Sequence, residues 1–129
     1  MRCRATDEGS AVVEFVLVGV LLTLLTLAVL QLGLALHIRN TVQDAASEGA
    51  RFAALADNTP ADGIQRTRDL ITAAIGGGYA RAVTAERGQW RGHPVAIVRV
   101  RAPLPVIGLI GVERGLEVTG HAAIETLGR

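Results

Sequence analysis

Apolar positions along this chain follow three successive patterns. From Phe15 to Leu36 they run on for 22 positions without a charged residue, behind a single acid, Glu14. At about 1.5 Å per residue, a helix of that length matches the roughly 30 Å hydrocarbon core of a bilayer. From Ile38 the spacing turns amphipathic. Ile38, Val42, Ala45, Gly49, Phe52 and Ala56 recur at steps of three and four, with Gln43, Asp44, Ser47, Glu48 and Arg51 on the opposite side. One long helix from Ser10 to about Asp57 accounts for both patterns. It should stop near Asp57-Asn58-Thr59-Pro60, because proline disfavours helix in the residue before it. Glu48 and Arg51 are spaced for an ion pair within the helix, worth about 0.3 kcal/mol.

A second helix is predicted over Asp62–Ile75, with Asp62 as N-cap and Ile64, Leu70, Ile71, Ala74 and Ile75 as its apolar stripe. Gly76-Gly77-Gly78 ends it. That triplet follows a helix and lacks the Lys-Ser/Thr of a phosphate loop, so it reads as a helix stop. After Tyr79 the period falls to two. Ala82–Gln89 is a weak strand, and Gly92 with Pro94 marks a turn after Trp90. Val95–Ala102 follows, with Ala96, Val98 and Val100 on one face and Arg99 and Arg101 on the other. Leu116–Ile124 alternates cleanly, Leu116, Val118, Ala122 and Ile124 against Glu117, Thr119, His121 and Glu125. Between these last two lies a proline-bracketed apolar loop, residues 103–111, too short to span a bilayer. The fold class expected is α+β: a long N-terminal transmembrane-plus-amphipathic helix, a second short helix, and an antiparallel sheet of about three strands.

Composition sharpens this picture. With 129 residues, half of them apolar, and a mean hydropathy of +0.37, the chain fits a protein with one membrane pass. Some 93 residues remain beyond the apolar run for a core, which must be built from Val, Ile, Leu and Ala, since aromatic residues make up only 3%. Such a core is marginal. A net charge of +1 without long runs of one sign leaves no footprint for nucleic acid. All 13 basic residues are Arg. Cys3 stands alone, which excludes an internal disulfide and a cysteine zinc site. The apolar run is longer than a secretory h-region and meets no small-x-small cleavage site, so a retained membrane helix is expected.

No catalytic constellation stands out. His37, His93 and His121 fall in different elements at no ligand-like spacing, and Ser10, Ser47 and Thr119 lack a nucleophile context. No metal or cofactor is implied. Trp90 beside Arg91 reads as a strand-end core residue in preference to an interface anchor. Glu14 differs from these. A carboxylate at the edge of hydrocarbon is costly and points to a partner or a task.

Gly9, Ser10, then Glu14 at the mouth of a long apolar helix resemble a type IV-like prepilin signal. Val13-Glu14-Phe15, followed some thirty residues later by Ala45-Ala46-Ser47-Glu48-Gly49-Ala50-Arg51-Phe52-Ala53-Ala54, is similar to TadE-like proteins, minor pseudopilins of the tight-adherence (Flp-type) pilus system. The resemblance covers the N-terminal 55 residues. It implies a leader of residues 1–9 that a prepilin peptidase removes after Gly9, leaving Ser10 as the new N-terminus. It further implies that Glu14 is neutralised by the terminal amine of a neighbouring subunit. Glycine suits the scissile position by giving a protease an unhindered backbone. The small residues Ala46, Gly49, Ala50 and Ala53 allow close approach of another helix, or of the chain's own sheet.

The domains expected are therefore a leader (1–9), a transmembrane helix (10–36) and an extracytoplasmic α+β part (37–129). Arg2 and Arg4 on one side and Arg39 and Arg51 on the other nearly balance the positive-inside count, so the orientation, N-terminus inside, follows from the resemblance. The partners implied are other pilin or pseudopilin subunits, prepilin peptidase, membrane proteins of the pilus assembly platform, and the lipid bilayer of the cytoplasmic membrane. Two alternatives stay open: an uncleaved membrane-anchored sensor or scaffold, and a pseudopilin of type II secretion.

Overall fold

The computed structural model describes the backbone of residues 2–104 and 115–125, with side chains from residue 8 onward. The apolar loop expected over residues 103–111 lies outside the described residues apart from Pro103 and Leu104. The chain divides into two units, residues 1–34 and 35–129, and α1 (Arg2–Ala53) belongs to both. The helix begins before the expected Ser10 and ends before the expected Asp57. Its last carbonyls are claimed early: the Asn58 side-chain amide donates to Phe52 O at 2.7 Å, and Glu125 N–H donates to Ala54 O at 3.0 Å. The chain therefore turns before the proline compels it, and Ala56 falls outside the helix and is exposed.

The first unit is α1 alone. Its large apolar side chains from Val12 onward are exposed on every face, with Phe15 80% exposed. The apolar run does contain Thr23, Thr26 and Gln31. Both threonine hydroxyls donate back to the helix, Thr23 to Gly19 O and Thr26 to Leu22 O, each at 2.8 Å, which satisfies them without water.

In the second unit, α1 from Ala35 packs with α2 (Pro60–Ile75) against a meander of β1 (Ala82–Trp90), β2 (His93–Ala102) and β3 (Leu116–Ala123), joined in the order β1-β2-β3. The α+β architecture is as expected, with its boundaries shifted. Helix α2 starts two residues before Asp62. Thr59 is the N-cap, Pro60 takes the first turn, where its missing N–H costs nothing, and Asp62 closes a capping box by accepting from Thr59 N–H at 2.7 Å. Strand β2 takes in His93 and Pro94, because Arg91 (φ 51°) and Gly92 (φ 82°) complete the hairpin in two residues with positive φ.

Alternation along β2 decides where the core lies. Ala96, Val98, Val100 and Ala102 are buried toward the helices, while Arg99 and Arg101 face outward and pair with Glu86 and Glu117. Ile38, Val42, Ala45, Ala46 and Ala50 of α1, Ile71 of α2, Val83 of β1, and Leu116 and Val118 of β3 complete the core. Nearly all of it is aliphatic. The same alternation puts Trp90 on the outer face, 56% exposed, with its ring 5.7 Å from that of His121. The expectation of a core tryptophan is thus corrected.

Candidate functional site

The residues singled out from the sequence fall into two groups, one in each unit. Gly9, Ser10 and Glu14 lie within the first turns of α1 and are exposed, and among the described residues nothing beyond the helix's own adjacent backbone lies within 4 Å of where a Gly9 side chain would begin. The Gly9–Ser10 bond is helical here. Glu14 carries its carboxylate four positions past Ser10, directly before the charge-free run, and forms no ion pair among the described residues.

Ala46, Gly49, Ala50 and Ala53 are all buried, and the structure brings them together on one face of α1. They pack within the chain. A Cβ on Gly49 would collide with Thr67 Oγ1 and stand 2.8 Å from Gly63 O. A Cβ on Gly63 would stand 2.6 Å from Ala53 Cβ and 2.8 Å from Gly49 O, so the two helices meet at bare backbone. Thr67 is fully buried, and its hydroxyl donates to Gly63 O at 2.7 Å. On the other flank, Gly120 of β3 lies against Ala46, where an added Cβ would be 2.5 Å from the carbonyl. Gln43, expected on the polar side, donates to Thr119 O at 3.0 Å. The partners Gly63, Thr67 and Gly120 escaped the sequence reading. For Gly63 and Gly120 the signal was glycine where it is otherwise costly: inside a helix, and at an inward position of a strand.

The helices leave a cleft of about 550 Å³ between Thr41, Asp44, Glu48 and Arg51 on α1 and Leu70 and Ala74 on α2. The ion pair expected between Glu48 and Arg51 does not form; the ion pairs among the described residues are Arg99–Glu86 and Arg101–Glu117. Arg51 is exposed, and solvent competes well for its charge there. The cleft holds Ser47 but no histidine to activate it, and among the described residues no three His, Cys, Asp or Glu side chains gather as metal ligands.

Among the described residues one helix is long and apolar enough to cross a membrane, and its best window has a mean hydropathy of 2.6 with none of it buried. That helix also carries the resemblance. Residues 9–51 match the model of the TadE-like protein family. The TadE-like segment starts at Gly9, takes in Glu14 and the whole apolar run, and ends three residues short of Ala54 within α1. It covers a third of the chain and includes neither α2 nor the sheet. The match is to pilus-associated structural proteins and not to an enzyme family. No curated protein and no solved structure matches the chain.

Proposed function

We propose that this protein is a TadE-like minor pilin or pseudopilin, a single-pass membrane protein cut after Gly9 that takes part in assembling a tight-adherence (Flp-type) pilus. One observation carries the reading: the TadE-like segment opens at Gly9 and runs through an exposed Glu14 into an apolar helix left uncovered on all sides. In this reading residues 10–36 remain in the cytoplasmic membrane with the N-terminus inside. The helix packs on those of other pilin subunits, and the Ser10 amine of one subunit neutralises Glu14 of the next, which fixes their register and offsets the desolvation of both charges.

The folded unit plays a different part. Its small-residue face is occupied within the chain, so Ala46, Gly49, Ala50 and Ala53 set its shape, while the segment from Ser10 to Leu36 meets partners. Prepilin peptidase and the platform proteins of the pilus machine complete the set of partners. A Glu14→Ala chain tests the reading in a pilus assay: the proposal expects stable protein and no pili, and normal piliation contradicts it.

A further inference from the structure

The two edges of the sheet are finished differently. Along β3, backbone groups that point away from the sheet meet α1: Thr119 O accepts from the Gln43 side chain, and Glu125 N–H donates to Ala54 O. Strand β1 has β2 on one side and, among the described residues, no strand on the other. The hairpin fixes which of its groups are left over. Trp90 and His93 close a two-residue turn, and such a closing pair exchanges both hydrogen bonds, as Gly88, Glu86 and Thr84 do at every second position after it. Pro94 accordingly faces β3, where its carbonyl accepts from Ile124 N–H. Val83, Ala85, Arg87 and Gln89 therefore direct N–H and C=O away from the sheet, and no described residue outside it bonds those groups. The strand is nine residues long and holds neither proline nor a residue of positive φ, devices that commonly close an edge.

Charge decides what kind of strand fits. Arg87 on β1, with Arg81 and Arg91 at its two ends, is exposed like them, and among the described residues none of the three forms an ion pair. Arg87 donates to Asn58 O at 3.3 Å and Arg91 lies over the Trp90 ring at 6.0 Å, contacts that leave both charges uncompensated. Helix α2 packs over β1, and helical spacing sets exposed Arg68 on the flank opposite Leu70 and Ala74, which face α1. The acids of α2 and β1 are engaged elsewhere. Asp62 closes its capping box, Asp69 accepts from Gln65 at 2.8 Å, and Glu86 holds Arg99 at 3.0 Å. We propose that the free edge of β1 binds an extended acidic segment of another protein as a fourth strand of this sheet. The segment's backbone exchanges hydrogen bonds with Val83, Ala85, Arg87 and Gln89, and its carboxylates meet the arginines.

The test measures fluorescence anisotropy of a labelled short peptide of alternating valine and glutamate, titrated with the full chain in non-ionic detergent. The proposal expects saturable binding that weakens with salt and is lost in Ala85→Pro. Proline there removes an N–H that takes no part in the β1–β2 ladder, and circular dichroism checks the fold. Arg81→Gln, Arg87→Gln and Arg91→Gln together should weaken binding roughly tenfold. A second measurement leaves the protein untouched: N-methylating one alternate set of peptide residues should abolish binding, and methylating the other set should not. Absence of binding, binding indifferent to Ala85→Pro or to either methylation, or equal binding of a glutamine-for-glutamate peptide overturns the proposal. So does a native chain that forms dimers which Ala85→Pro dissolves, because the edge then belongs to a second copy.

Discussion

Gly49 of α1 and Gly63 of α2 face each other across a contact so close that a methyl group on either would stand 2.8 Å from the other's carbonyl oxygen. No side chain separates the helices there, and Thr67 and Ala53 close the contact on either side. The amphipathic half of α1 is thus fitted to α2 by subtraction of volume.

Gly49→Ala and Gly63→Ala should each destabilise the folded unit, by about 1–3 kcal/mol or more, because the obstructing atoms are backbone and a helix-held Cβ. For a unit of this size that is a fall in melting temperature of at least about 4 °C. Thermal denaturation of the full chain in detergent, followed by circular dichroism, measures it. Because the two sites share one contact, the double variant should lose less than the sum of the single ones.

Gly120→Ala should be at least as harmful, since its methyl would meet the Ala46 carbonyl at 2.5 Å and Ser47 N at 2.6 Å. Gln43→Ala, by contrast, removes one hydrogen bond to Thr119 O and should cost about 1 kcal/mol. Chemical denaturation of the two variants should rank them in that order.

Thr59→Ala removes the N-cap of α2 and half of its capping box, with an expected loss of about 1 kcal/mol. Thr59→Ser should restore most of it, because the hydroxyl is what accepts from Asp62 N–H. Urea midpoints of the two variants check this.

Glu14→Gln should leave the fold unchanged, because the residue is exposed and lies outside the core of the folded unit. Pili should nevertheless be lost, since an amide keeps the shape of the carboxylate without its charge. Melting temperature and pilus counts in the same strain separate the two effects.

Much of this was legible in the sequence because period reports which face is buried. The step of two along Val95–Ala102 and the steps of three and four from Ile38 placed the core strand and the core helix correctly. The resemblance carried by Gly9, Glu14 and the run after them lies in the segment that the TadE-like model matches. Boundaries were less legible. The end of α1 is set by Asn58 and Glu125, one of them seventy residues away in the chain, and no local rule announces such a cap. Trp90 was misplaced because its size was weighed above its parity: counting by twos from buried Val83 puts it outside. The glycine contacts went unseen because a missing side chain leaves no hydrophobic signal of its own.

The central claim, processing after Gly9 for pilus assembly, is tested most directly by the N-terminal residue of the mature protein, read by mass spectrometry of chain purified from cells with an active prepilin peptidase. The account predicts a chain beginning at Ser10, and a Gly9→Asp variant that keeps its leader. A mature chain still beginning at Met1 in those cells would contradict it.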